Sequence, residues 1–71
     1  MAWKVGYKVA CHDPLRGYLE GYVEAVTSTF NSGYAMIMVL PSKAMDAMNY
    51  GEEAGSLRSL QRRGWHIVEA M

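Results

Sequence analysis

Cysteine occurs once in this 71-residue chain, at Cys11, so no internal disulfide can staple the fold. A lone thiol suits a reducing compartment. Charge of one sign is equally lacking: seven basic side chains balance seven acidic ones. Non-specific nucleic-acid binders draw most of their affinity from neutralising phosphates, and an overall basic excess for that purpose is missing here. The longest apolar run, Tyr34 to Leu40, is far below the ~20 residues of a membrane helix. Residues Met1 to Val5 lack the charged and apolar regions of a signal peptide. The expectation is a soluble, cytoplasmic chain with no membrane association. There is no internal repeat, no low-complexity tract and no glycine-rich phosphate loop ahead of a helix.

What is present fills one small domain, residues 1–71, with 51% hydrophobic residues. A chain of this size buries only about 60% of the surface its unfolded form exposes. A core of this size rarely supplies more than roughly 3–5 kcal/mol of net stability, which makes oligomerisation a natural supplement.

Period-two alternation dominates the first half of the chain. Trp3, Val5, Tyr7, Val9 and Cys11 share one parity, against Lys4, Gly6, Lys8, Ala10 and His12 on the other, as in a half-buried strand. Asp13-Pro14-Leu15-Arg16-Gly17 breaks the pattern as a loop. Leu19, Gly21, Val23 and Ala25 then alternate with Tyr18, Glu20, Tyr22 and Glu24 in a second strand. Phe30-Asn31-Ser32-Gly33 carries hairpin chemistry. The third strand, Tyr34 to Leu40, is apolar on both parities, so it is either covered twice or keeps one face for a partner.

Pro41 ends that strand, and Ser42 caps a short helix from Lys43 to about Asn49. Glu52-Glu53 read as a glycine-flanked loop between Gly51 and Gly55. Ser56 caps a second helical stretch, Leu57 to Arg63, that ends at Gly64, and Trp65 to Ala70 returns to strand. The expected fold is mainly β (α+β), with four to five antiparallel strands and a short helical insert before the last one. The alternative is an open four-stranded sheet with one packed helix.

The stretch GYKVACHDPLRGYLEGYVEAV adds a more specific pattern. Gly6, Val9, Cys11, Gly21, Val23 and Val26 resemble the KOW motif, which opens Src-homology-3-type small barrels in ribosomal proteins and transcription elongation factors. Gly6, Val9, Gly21, Val23 and Val26 match position by position, and Cys11 stands where the motif has an aliphatic residue. The resemblance covers about a third of the chain and implies a Src-homology-3-type barrel with an RNA- or DNA-binding role in transcription or translation. Two departures stand against it. The loop's basic residues are reduced to Arg16 beside Asp13 and Glu20, and the insert from Pro41 to Gly64 is longer than the motif requires.

Chemistry-bearing residues are sparse. Cys11, His12 and Asp13 are adjacent, but consecutive strand residues point to opposite faces, so thiol and imidazole do not meet. Cys11, His12 and His66 lack paired metal-ligand spacing. Neither an enzyme nor a cofactor or metal site is expected. Three other groups remain. Tyr18 and Tyr22 lie on the outward parity of the second strand, either pairing with Lys4 and Lys8 through Glu20 and Glu24 or forming an aromatic platform. Met36, Met38, Met45 and Met48 either fill gaps in an irregular core or offer an adaptable contact surface, for which Tyr34 is a further candidate. Arg58, Arg62 and Arg63 form the one basic cluster, a solvated helix face or a phosphate contact.

The function these residues favour is a non-catalytic interaction module that binds and modulates a larger protein, as adaptor or inhibitor, with a homodimer as one form. An outer strand adding to a partner's sheet is a further route. Small regulators of this kind are frequent in phages and mobile elements. The competing reading is the KOW-like nucleic-acid binder, using Lys4, Lys8, Arg58, Arg62 and Arg63.

Overall fold

Gly6 and Gly17 decide where the first two strands can begin, because both hold backbone angles that side chains resist (φ +96° and +80°). The computed structural model describes residues 3–28, 33–40 and 51–70. In these residues five strands run β1 (Lys8–Asp13), β2 (Gly17–Ser28), β3 (Gly33–Val39), β4 (Glu52–Ser56) and β5 (His66–Glu69), with helix α1 (Leu57–Arg62) between the last two. They make one open antiparallel sheet in the order β4-β3-β2-β1-β5. The fold is mainly β, as the alternation requires.

The first strand is shorter than its alternation implies. Lys4 to Tyr7 form a turn, closed by the Tyr7 amide donating to the Lys4 carbonyl at 3.1 Å, with Gly6 at the position where positive φ is needed. Val5 sits in the turn and is 63% exposed, so its expected inward placement is corrected. Trp3 and Tyr7 are buried all the same. Two backbone bonds extend the pairing past β1: Gly6 donates to Val23 and Val23 to Tyr7, both at 2.9 Å.

β2 is long enough to serve two partners, its first half pairing with β1 and its second with β3. Gly21 faces both, opposite Val9 on one side and Val39 on the other. A register shift between Val23 and Ala25 then swaps the parity of the rest of the strand. Val26 therefore packs against the core, and Ala25, expected inward, lies beside Met36 on the other face.

The core collects Trp3, Tyr7, Val9, Cys11, Leu19, Val23, Ala35, Ile37, Val39, Leu60 and Trp65. Full burial of a side chain such as Leu60 or Ile37 is worth about 1.5–3 kcal/mol. Cys11 behaves as a core residue, with its thiol donating to the Arg63 carbonyl at 3.5 Å. Burial pushes the Cys11 thiol up, and the carboxylates of Asp13 and Glu53 add to the effect. Its reaction with a bulky aromatic disulfide should run at least about 100-fold slower in the folded chain than in urea. Equal rates would mean that the β1 face is assigned the wrong way round.

Helix α1 matches its sequence signals closely. The Ser56 hydroxyl accepts from the Ser59 amide at 3.1 Å, and Leu60 is buried. At the other end the Trp65 amide reaches the Leu60 carbonyl (3.1 Å) and the Gly64 amide the Gln61 carbonyl (3.0 Å), with Gly64 at φ +105°. These are the paired bonds of a Schellman cap, and they deliver Trp65 into the core beside Leu60. The helix expected at 43–49, with Met45 and Met48, lies outside the described residues.

β4 replaces the loop expected at Glu52-Glu53, although Glu-Glu-Ala-Gly-Ser has poor strand propensity. Its cause is tertiary: it pairs with β3 from Met38↔Glu52 to Tyr34↔Ser56. It also turns Glu53 toward a polar cluster at the rim of the core. The Glu53 carboxylate accepts from the Trp65 indole N–H at 3.1 Å, from Arg63 at 3.4 Å and, through its other oxygen, from Arg16. Arg16 also reaches Asp13 at 3.1 Å, whose other oxygen takes the Leu15 and Arg16 amides at 2.8 and 2.9 Å. The amides of Arg16 and Leu15, then the Arg16 guanidinium, hold the Asp13 carboxyl below its ordinary value. One carboxylate thus ties the β1–β2 turn, β4 and the end of α1 together.

Candidate protein interface

With Ala35, Ile37 and Val39 buried, β3 presents Tyr34, Met36 and Met38 on its opposite face. Tyr34 is 55% exposed and Met38 46%. Both apolar parities of β3 therefore have separate destinations, one inside and one outside. Met36 and Met38 do not fill the core, which corrects the gap-filling alternative for these two.

The register assembles this outer face in rows. Tyr22 lies between Lys8 and Met38, and Met38 between Tyr22 and Glu52. Met36 lies between Ala25 and Ala54, and Tyr34 between Thr27 and Ser56. Ala25, Thr27, Tyr34, Ala35 and Met36 line a shallow, almost wholly apolar hollow of about 140 Å³. Tyr18 and Tyr22 are exposed on the same outward parity of β2. Alternation alone therefore places Tyr18, Tyr22, Tyr34, Met36 and Met38 on one face. It misses Ala25 and Thr27, because nothing in a two-residue period signals the bulge that turns them outward.

Polar groups border the apolar rows. Lys8 pairs with Glu20 at 3.5 Å, and the Tyr18 hydroxyl donates to the same carboxylate at 3.2 Å. The Glu20 charge raises the Lys8 ammonium. Partial desolvation, followed by Glu20, raises the Tyr18 hydroxyl. The Tyr18 ring leans on His12, centroids 5.0 Å apart. Farther across the sheet the neighbouring Glu52 carboxyl raises Glu24 above the ordinary carboxylate value. Ala10 is buried on this outer side, in register with Glu20 and His66 of the adjoining strands.

The basic residues do not converge. Lys8 lies on the outer face among glutamates, Arg63 is turned to Glu53, and Lys4 sits in the turn before β1. Arg58 and Arg62 are exposed on α1, whose Leu60 enters the core from the inner side. Among the described residues neither forms an ion pair. Cys11 and His12 point to opposite sides of β1, as strand geometry demands.

Other surfaces offer less. A wider hollow of about 500 Å³ lies beside Trp3, Trp65, His66 and Ile67, between α1 and β5. Leu15 and Val5 are exposed singly in turns, which is ordinary for surface residues. Among the described residues no three or more His, Cys, Asp and Glu side chains gather as metal ligands, and no helix is long and apolar enough to cross a membrane. Searches against protein-family models, curated proteins and solved structures find no match for this chain.

Proposed function

We propose that this chain is a non-catalytic interaction module that binds and modulates a larger protein through the outer face of β2 and β3. The single observation that carries the reading is the segregation of β3. Its buried side chains complete the core, while Tyr34, Met36 and Met38 continue the Tyr22 stripe into one exposed surface. Tyrosine and methionine are enriched at protein interfaces, and tyrosine also at the positions that carry most of the binding energy.

The barrel reading belongs to the same proposal. The strand order, the helix between β4 and β5 and the long β2 shared by two partners support a Src-homology-3-type arrangement. Motif positions Val9, Cys11, Gly21 and Val23 all lie in the interior, and Val26 packs against it, which supports the KOW resemblance. The nucleic-acid role has weaker support, because Lys8 and Arg63 are engaged by glutamates.

Surface variants test the assignment. Tyr22→Ser and Met36→Ser should each shift stability by no more than about 0.5 kcal/mol, since neither side chain is in the core. Combined, they should abolish partner binding while the thermal melt is retained. Binding to labelled single-stranded RNA that falls steeply with salt and vanishes on replacing Arg58 and Arg62 would instead favour the nucleic-acid reading.

A further inference from the structure

The outer face of β2 and β3 differs in charge from the chain as a whole. The chain is neutral, yet around the Tyr22–Met38 row stand Glu20, Glu24, Glu52 and Glu69 against the ammonium of Lys8. Lys8 is already paired with Glu20. Of the described cations outside ion pairs, Lys4 lies in the turn before β1, and Arg58 and Arg62 are exposed on α1. The described residues are therefore polarised, with an apolar face bordered by acid and a basic helix elsewhere.

Glu24 and Glu52 mark the most specific point of this border. Glu24, at the bulge of β2, and Glu52, opposite Met38 on β4, stand exposed on the two strands that flank β3, and neither forms an ion pair among the described residues. Two adjacent carboxylates resist joint ionisation, and an inserted cation removes that penalty. The apolar hollow lined by Ala25, Tyr34 and Met36 lies beside them, since Met36 neighbours Ala54, two residues along β4 from Glu52.

Resting on the protein-binding reading, we propose that the partner offers a basic amphipathic segment, seating an apolar side chain in the hollow and a lysine or arginine between Glu24 and Glu52. Charge complementarity selects this occupant. Two copies meeting through the same face would oppose their glutamates, and a phosphate backbone would meet the same repulsion.

Two short synthetic peptides with identical leucine spacing test the idea, one with lysine and one with glutamate at every polar position. Binding is read from the amide and methionine-methyl resonances of the full chain. The lysine peptide should shift Tyr22, Met36, Met38 and Glu52, and bind about ten-fold more tightly than the glutamate peptide. Glu24→Gln should weaken the lysine peptide several-fold, and Glu24→Gln with Glu52→Gln should weaken it further, with the thermal melt retained. Equal affinity of both peptides for this face would overturn the basic partner while leaving the protein-binding reading intact. No shift on this face with either peptide would overturn both. Concentration-dependent self-association in sedimentation, lost on replacing Arg58 and Arg62, would make a second copy the occupant and also overturn the proposal.

Discussion

Glu53→Ala is expected to destabilise the chain by about 2–3 kcal/mol in urea titrations, most of the stability a core of this size provides. The Glu53 side chain is only 12% exposed and takes hydrogen bonds from three residues distant in sequence. Removing it leaves the Trp65 indole N–H without its acceptor in a mostly dry setting. Arg16 and Arg63 are more exposed and recover solvent, which keeps the cost below that of a fully buried pair. Glu53→Gln keeps an acceptor for Trp65 and should lose about half as much. Glu52→Ala serves as the comparison, because that side chain points to the outer face and should cost at most about 0.5 kcal/mol.

Gly21→Ala should be at least as damaging, at about 3 kcal/mol, for a purely steric reason. A Cβ at this position would lie 2.5 Å from the Met38 carbonyl oxygen and 2.6 Å from Ile37 Cγ2. The carbonyl belongs to the β2–β3 ladder, so it cannot withdraw without breaking the pairing. Gly17 gives the contrast. A Cβ there meets nothing within 4 Å, and only its φ of +80° resists substitution. Gly17→Ala should therefore cost about 1–2 kcal/mol, through backbone strain alone.

These two positions also show how far the sequence could be read. Gly21 is visible as a break in an apolar stripe, and its need for a glycine comes from two strands crowding the same point. Ser56, Leu60 and Gly64 carry enough local chemistry to define α1 and both its ends. The outer residues of β3 are equally legible, because a strand apolar on both parities must send one set outward unless something covers it.

Glu53 is hidden for the opposite reason. Its partners Arg16 and Trp65 approach only after the sheet has formed, and no local spacing announces them. The turn at Val5 and the bulge after Val23 escape likewise. Each interrupts a two-residue period that the side chains alone continue without a break. Positions 25 and 27 therefore move from the inward parity to the border of the hollow, the part of the candidate face that only three dimensions reveal.

Site-specific photocrosslinking in the cells that express the chain tests the central claim most directly. A photoreactive phenylalanine analogue would be placed in turn at Tyr22 and Tyr34 on the outer face, and at Arg58 on α1. One common polypeptide adduct is expected from the first two positions, and none of it from Arg58. Adducts confined to Arg58, or nucleic acid captured there while Tyr22 and Tyr34 stay unreacted, would contradict a protein-binding outer face.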